Sequence, residues 1–310
     1  MSILIDINVP GWMEDAQLRD QIAPMLPGVT LHCGIPNRTL PDVTVLATSR
    51  LGPGRVRHLP NLQLVQKLGA GVDTMAQNPE LPDHIRIARM APDIQAREIA
   101  EYCLTYVMAF QRNLFRHLTD QRRQHWQAMA PGRTEQTTVA ALGLGHIGGR
   151  TAKLFAELGF RVVGWSRTPK AIDRVETHAG MDALPAILDQ ADYVVAILPS
   201  TQSTRGLFDA ERLGWLKPGA VILNAGRGDL IDEQALLAAL DGPLGHAVLD
   251  VMPVEPLSQG HPFWDHPKIT LTPHVSGWHL DGGFETVAEN YRRLADGRPL
   301  LNEVDRQAGY

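Results

Sequence analysis

Thr138-Val-Ala-Ala-Leu-Gly143-Leu-Gly145-His146-Ile147-Gly148-Gly-Arg150 is the run that decides how this chain folds. Apolar, β-prone residues lead into Gly143, and Ala and Leu recur at helical spacing from there to Leu158. A strand, a tight glycine turn and a helix in that order open a dinucleotide-binding βαβ unit. Each glycine has its own duty there: Gly143 makes the turn, Gly145 lets a pyrophosphate approach the backbone, and Gly148 lets the helix pack closely on the strand. The phosphates would rest on free N–H groups at the helix start, around His146 and Ile147. Glycine turns are common in proteins, so the flanks carry the weight. A second strand, Phe160-Arg-Val-Val-Gly-Trp165, follows where such a unit needs one.

The end of that second strand bears on the cofactor. A site for NAD places Asp or Glu about 20 residues past the first glycine, on the ribose 2′-hydroxyl. This chain has Trp165-Ser166-Arg167-Thr168-Pro-Lys170 and no carboxylate until Asp173. Hydroxyls, a guanidinium and an ammonium suit a 2′-phosphate, whereas a plain solvated loop would leave them without a ligand. The reading favours NADP(H), with NAD(H) as the alternative.

The 310 residues are 44% hydrophobic and 20% charged, enough for a large core and for two domains. A formal net charge of −5 gives no electrostatic reason to expect nucleic acid or an anionic membrane as partner. Cys33 and Cys103 are too few for a disulfide framework or a cysteine metal cluster. The chain opens on a short alternating strand in place of a signal segment, and no apolar run approaches a membrane span. The expectation is a cytoplasmic enzyme.

From the start to about Met90, strands are expected at Ser2–Val9, Val29–Cys33, Val43–Ala47, Leu62–Leu68 and Ile85–Arg89. Alternation with helical or loop segments implies a parallel sheet in a first, small α/β domain. After its fourth strand comes Gly69-Ala70-Gly71-Val72-Asp73. This is either a nest of backbone N–H groups for a small carboxylate or a flexible strand-to-helix turn. One long apolar helix is expected from an N-cap at Asp93 to about Leu118, facing either a partner subunit or its own core. A hinge is expected near residues 90–95.

Beyond Lys170 the alternation resumes with strands at Tyr193–Leu198, Ala220–Asn224, His246–Asp250 and Ile269–Thr272, for about six in all. Pro199–Thr204 is polar enough to cap a helix near the cofactor, and Asp232 caps one ending at Gly242. Leu198, Pro199, Thr204 and Ala225 are assigned to the cofactor's surroundings. The last helix is expected from about Asp281 to Ala295.

Ligands of open α/β sheets lie beyond the carboxyl ends of the strands. Arg227, Glu255 and His274 stand just past such ends. A guanidinium can hold an anion and an imidazole can give a proton, which suits reduction of a carbonyl. A carboxylate on the second imidazole nitrogen would fix the tautomer. Taken alone, each is more often a surface or loop residue; the case rests on the set and on the cofactor motif before it. His261, His266, His274 and His279 match no metal-binding spacing, and no metal site is expected.

At these residues the chain resembles the D-isomer-specific 2-hydroxyacid dehydrogenases, over nearly its whole length. Gly69–Asp73 is similar to their substrate-carboxylate loop and Gly143–Gly148 to their cofactor loop. Asn224-Ala-Gly-Arg227-Gly, Leu249 through Glu255-Pro-Leu, and Pro273-His274 are similar to the segments carrying their Arg, Glu and His. Within the family, Trp165-Ser-Arg-Thr, His125-Trp126-Gln and the ending Asn302 to Tyr310 resemble the glyoxylate/hydroxypyruvate reductase A group.

The resemblance implies two Rossmann-like or flavodoxin-like α/β lobes in a homodimer, with the cofactor domain inserted into the substrate domain. Residues 1–92 and 276–310 would bind substrate and 93–275 the NADP. Arg227 would bind the substrate, Glu255 would support His274, and His274 would be the acid/base. Backbone N–H groups of Gly69, Ala70 and Gly71 would take a carboxylate, and Asp250 would meet the nicotinamide amide. The implied reaction is NADPH-dependent reduction of a small 2-keto acid, glyoxylate or hydroxypyruvate, to the D-2-hydroxy acid as the lobes close. Another D-2-hydroxyacid dehydrogenase, of the D-lactate or phosphoglycerate type, or a non-catalytic NAD(P)-sensing corepressor are the alternatives. Trp278 and His279, just past the histidine, depart from the small residues usual there and bear on pocket size.

Overall fold

Two parallel sheets organise the chain, seen here in a computed structural model that describes residues 1–9, 11–35 and 37–309. Pro10, Pro36 and Tyr310, the last belonging to the ending quoted above, lie outside the described residues. The chain divides into two compact units, Met1–Ile94 with Leu280–Tyr310, and Gln95–His279. The second is inserted into the first.

The first unit holds β1 (Ser2–Ile5), β2 (Leu31–Cys33), β3 (Val43–Thr48), β4 (Leu64–Lys67) and β5 (Arg86–Arg89). All pair in parallel in the order β2-β1-β3-β4-β5. That order is flavodoxin-like. Successive residues alternate between two cores: Ile3, Val45 and Leu64 enter one, and Leu4, Leu46 and Val65 the other. A sheet covered on both faces needs such continuous apolar strands. The helix Glu285–Ala295 belongs to this unit, its Val287, Ala288 and Tyr291 packing into the first of the two cores. The buried Asn290 amide fastens it, donating to Gln66 Oε1 at 2.8 Å and accepting from Leu301 N at 2.7 Å.

The second unit holds β6 (Thr138–Leu142), β7 (Arg161–Ser166), β8 (Val175–Ala179), β9 (Tyr193–Ala196), β10 (Val221–Asn224), β11 (His246–Leu249) and β12 (Ile269–Leu271). Their order is β12-β11-β10-β9-β6-β7-β8, again all parallel. The order reverses between β6 and β9, the place where open sheets of this kind bind ligands.

Several sequence expectations need correcting. Seven strands form in this unit where about six were expected. The overlooked β8 is a polar edge strand, Val-Glu-Thr-His-Ala, with little apolar signal. The long helix is two, Asp93–Gln111 and Leu114–Arg122, broken where Asn113 takes a left-handed φ of 56°. Asp93 is the first helical residue instead of the cap. The apolar stripe of the first helix, Ile99, Cys103 and Val107, is buried in a core shared with β6, β10 and β11 of its own unit. Residues 199–201 are irregular and 202–206 form turns, and the next helix, Ala210–Leu213, is capped by Asp209. The last helix starts at Glu285, four residues later than expected. Asp232 does cap Glu233–Asp241, accepting from Ala235 N at 3.0 Å, with Gly242 at its end. No helix among the described residues is long and apolar enough to cross a membrane.

His246 opens β11 against the rings of Phe110 and Phe115, and its Nε2 meets Thr270 Oγ1 at 2.9 Å. Burial, with the charges of His266 and Lys268 adding to it, pushes its pKa down from 6.5 to about 4. The folded protein thus refuses a proton that the unfolded chain accepts. This contribution to stability is complete above pH 6.5 and is lost as the pH falls toward 4. Melting temperatures between pH 6.5 and 4.5 are therefore expected to fall less steeply in His246→Phe than in the wild type; parallel curves would contradict this.

Candidate active site

The three glycines of the β6 turn differ in what surrounds them. Gly143 has a φ of +101°, and a Cβ there would lie 2.2 Å from Ile197 O. A Cβ on Gly148 would lie 1.7 Å from Gly143 O, so the helix can rest on the strand only with glycine at that position. At Gly145 a Cβ would meet nothing within 4 Å, which leaves open space over the backbone. The helix His146–Glu157 begins here without a side-chain cap, and its first bond is Gly149 N to Gly145 O at 2.8 Å. Backbone N–H groups ahead of that bond have no helical acceptor.

Ser166, at the end of β7, is buried and donates to Thr168 O at 2.7 Å, closing a short loop whose Arg167 and Lys170 are exposed. Past β9, Leu198 is buried, and Thr204 Oγ1 donates to Pro199 O at 2.6 Å and accepts from Thr201 N at 2.9 Å. That hydroxyl therefore shapes its own loop.

The strand ends carry the chemistry. After β10 the buried Asn224 side chain frames the turn, donating to Arg227 O at 2.8 Å and accepting from Gly226 N at 3.1 Å. Ala225 N donates to Ala196 O at 3.1 Å, tying the same turn to β9. The turn is packed tightly on both sides. A Cβ at Gly226 would lie 2.7 Å from Leu198 O, and one at Gly228 would lie 1.9 Å from the carbonyl carbon of Met252. Arg227 leaves this turn with its Nη1 donating to Gly226 O at 2.7 Å.

Beyond β11, Glu255 Oε1 accepts from Met252 N at 3.0 Å, and Oε2 meets His274 Nδ1 at 2.8 Å. Burial pushes the Glu255 carboxyl up, but the bonds from His274 and Met252 and the nearby Arg227 charge outweigh it and hold it below the usual carboxylate value. An ionised carboxylate only accepts, so Nδ1 carries the hydrogen and Nε2 has its lone pair or its proton available. The His274 side chain is half-exposed. Of the three residues expected to converge, Glu255 and His274 are thus paired, with the Arg227 charge near enough to act on Glu255.

His274 has a φ of 56°, in the left-handed region. A buried carboxylate holds it there. Asp250, 1% exposed at the end of β11, accepts from Thr272 Oγ1 at 2.6 Å, Val275 N at 2.9 Å and Ser276 N at 3.0 Å, while its own O accepts from His274 N at 2.9 Å. Three of a carboxylate's roughly four acceptor positions thus serve the turn. Tyr102 OH, 2.7 Å from Thr272 Oγ1, extends the network. Just beyond, Glu98 accepts from Trp278 N at 2.8 Å and His279 N at 2.9 Å and pairs with His279 Nδ1. Trp278 and His279, which raised the question of pocket size, are thus held on the helix Asp93–Gln111, with the Trp278 ring half-exposed.

Sequence reading missed these supports. Asn224 at a strand end, two residues before Gly226, is a recognisable turn-former. Glu98 carries no signal, since only the fold brings it to residues 278 and 279.

In the first unit, Gly69, Ala70 and Gly71 follow β4, and their N–H groups donate to no group among the described residues. Gly69 has a φ of +127°. No group of three or more His, Cys, Asp or Glu side chains suited to a metal ion occurs among the described residues.

Residues 104–276 match the family model described as D-isomer specific 2-hydroxyacid dehydrogenase, NAD binding domain. The chain belongs to the D-isomer-specific 2-hydroxyacid dehydrogenase family. It is 35% identical over 256 residues to a glyoxylate/hydroxypyruvate reductase A of Serratia proteamaculans, a match covering 80% of this chain and 82% of that one. Among solved structures it is similar to a D-isomer-specific 2-hydroxyacid dehydrogenase of Xanthobacter autotrophicus in complex with NADPH, with 34% identity, a TM-score of 0.93, and coverage of 100% and 99%. The NADPH-dependent glyoxylate/hydroxypyruvate reductase of Sinorhizobium meliloti, in complex with NADP and sulfate, matches with 30% identity and a TM-score of 0.91 over all of both chains.

Asp250→Asn leaves one oxygen where two accept three bonds, and turns an amide N–H toward a donor. The expected loss is about 2 kcal/mol or more of stability, the scale of buried bonds to a charged group. Denaturant unfolding of the variant measures it, and an unchanged midpoint would remove Asp250 as the anchor of the turn.

Proposed function

We propose that this enzyme reduces a small 2-keto acid, glyoxylate or hydroxypyruvate, to the D-2-hydroxy acid with NADPH. The observation that carries the proposal is the Glu255–His274 pair at 2.8 Å, within reach of the Arg227 charge, beyond the strand ends of a sheet with a dinucleotide turn. The clearance at Gly145 and the helix start at His146, Ile147 and Gly148 fit a pyrophosphate. Bound NADPH would supply the hydride.

The residues of the chain do the rest. Arg227 holds the keto acid and stabilises negative charge as it develops on the carbonyl oxygen. His274 gives that oxygen a proton from Nε2, and Glu255 fixes the tautomer and stabilises the imidazolium that must be present at the start. Ser166, Arg167, Thr168 and Lys170 are assigned the 2′-phosphate. Leu198, Pro199, Thr204 and Ala225 are assigned the cofactor's flank, and Asp250 keeps an acceptor position for the nicotinamide amide. The backbone of Gly69, Ala70 and Gly71 is assigned the substrate carboxylate. A homodimer belongs to the same reading through the likeness to the reductase A group. The relatives crystallised with NADPH and NADP support the cofactor preference.

Initial rates with NADPH and NADH against a panel of 2-keto acids test the proposal. Glyoxylate and hydroxypyruvate with NADPH should give the highest kcat/KM. Arg167→Ala should raise the KM for NADPH about tenfold or more, the scale of a lost charge-assisted bond, and leave that for NADH nearly unchanged. Equal changes for the two cofactors would contradict the 2′-phosphate assignment, and no turnover of any 2-keto acid would contradict the reaction.

A further inference from the structure

Two cations stand side by side at the carboxyl ends of β4 and β5. Lys67 ends one strand, Arg89 ends the other, and the two are register partners in the parallel ladder. Both are half-buried. Like charges on neighbouring strands repel one another. Desolvation pulls the Arg89 guanidinium below its ordinary pKa, which shows that the charge is held there at a cost.

Both cations bond the backbone of the loop that follows β4. Lys67 Nζ donates to Leu68 O at 2.9 Å, and Arg89 Nη1 donates to Ala70 O at 3.0 Å. The ammonium sits so close that a Cβ on Gly69 would come within 3.2 Å of it. In a trans peptide the N–H points opposite to the carbonyl of the same unit. The Leu68 carbonyl shares its unit with the Gly69 N–H, and the Ala70 carbonyl shares its unit with the Gly71 N–H. Fixing two carbonyls on the cationic side therefore fixes two donors facing the other way. Gly-Ala-Gly would otherwise let these peptides rotate at little steric cost. A cation on the carbonyl also polarises the peptide and makes its N–H a stronger donor.

We propose that Lys67 and Arg89 are positioning residues that preset the Gly69 and Gly71 N–H groups as the receptor for the carboxylate of the 2-keto acid, acting through the Leu68 and Ala70 carbonyls. This rests on the functional reading given above and adds to it the groups that make the loop selective for an acid. Neither side chain needs to touch the substrate. Loss of Arg89 frees the Ala70–Gly71 peptide to turn, and loss of Lys67 leaves the Leu68 carbonyl on the longer Ser49 Oγ bond at 3.3 Å alone; either change weakens capture of the acid and leaves the proton-transfer residues intact.

The test uses Arg89→Met, Lys67→Met and Arg89→Lys in the full chain. The readouts are steady-state kinetics with glyoxylate, and calorimetric titration of NADPH and then of oxalate into the NADPH complex. Each Met variant should raise the KM for glyoxylate and the Kd for oxalate about tenfold, the scale of one lost charge-assisted bond. The kcat should stay within about threefold and the NADPH affinity should not change. Arg89→Lys, which keeps a donor for the Ala70 carbonyl, should recover most of the loss. Wild-type oxalate affinity in both Met variants would overturn the proposal. So would parallel losses in kcat, NADPH affinity and melting temperature, which mark a structural role only. If the wild type reduces no 2-keto acid, the reaction assigned above fails, and the oxalate titrations still decide the loop: weaker binding in the Met variants supports it and equal binding ends it.

Discussion

A buried carboxylate holds the candidate active site in shape. Asp250 lies at the end of β11, almost wholly out of water, and its oxygens are committed to Thr272, Val275 and Ser276. An ionised group in such a place is costly unless its acceptor positions are filled. The turn after β12 fills them, and in doing so it curls around His274 and holds it in a left-handed conformation. The position of the imidazole thus follows from satisfying a buried charge. Glu255 then meets a ring already in place, and Glu98 secures the chain a few residues on.

The sheet sets up the remainder. Parallel strands end together, so turns after β6, β9, β10, β11 and β12 gather along one edge. Glycine makes the gathering possible at several points. Gly148 lets a helix touch the β6 turn, and Gly226 and Gly228 let the Arg227 turn press against the segments after β9 and β11. The first unit repeats the arrangement at its own strand ends, where Lys67 and Arg89 hold the carbonyls of a glycine loop. In both units the chemistry-bearing backbone is fixed by neighbours bonding groups that regular structure leaves open.

How far this was legible in the sequence depended on whether a feature is local. The glycine turn was readable because each glycine answers a constraint within its own βαβ unit, and the strands because burial on both faces demands unbroken apolar runs. Arg227, Glu255 and His274 could be grouped because the positions of strand ends follow from the strand pattern. The edge strand β8 escaped because an edge tolerates the polar residues Glu176, Thr177 and His178. The break at Asn113 escaped because Leu114 and Leu118 continue the helical spacing across it, and an αL residue interrupts a helix without disturbing that pattern. The anchoring roles of Asp250 and Glu98 depend on residues from 22 to 181 positions away, and no local pattern records such pairings.

The central claim is that Glu255 acts only through His274, and a double-mutant cycle on kcat tests it most directly. His274→Ala should lower kcat by about 10²–10⁴-fold, the range for a lost general acid, and Glu255→Gln by a smaller factor. Once His274 is alanine, the added Glu255→Gln change should have no further effect, because a residue that works by orienting a ring has nothing left to orient. Multiplicative losses in the double variant would show two independent contributions and contradict the account.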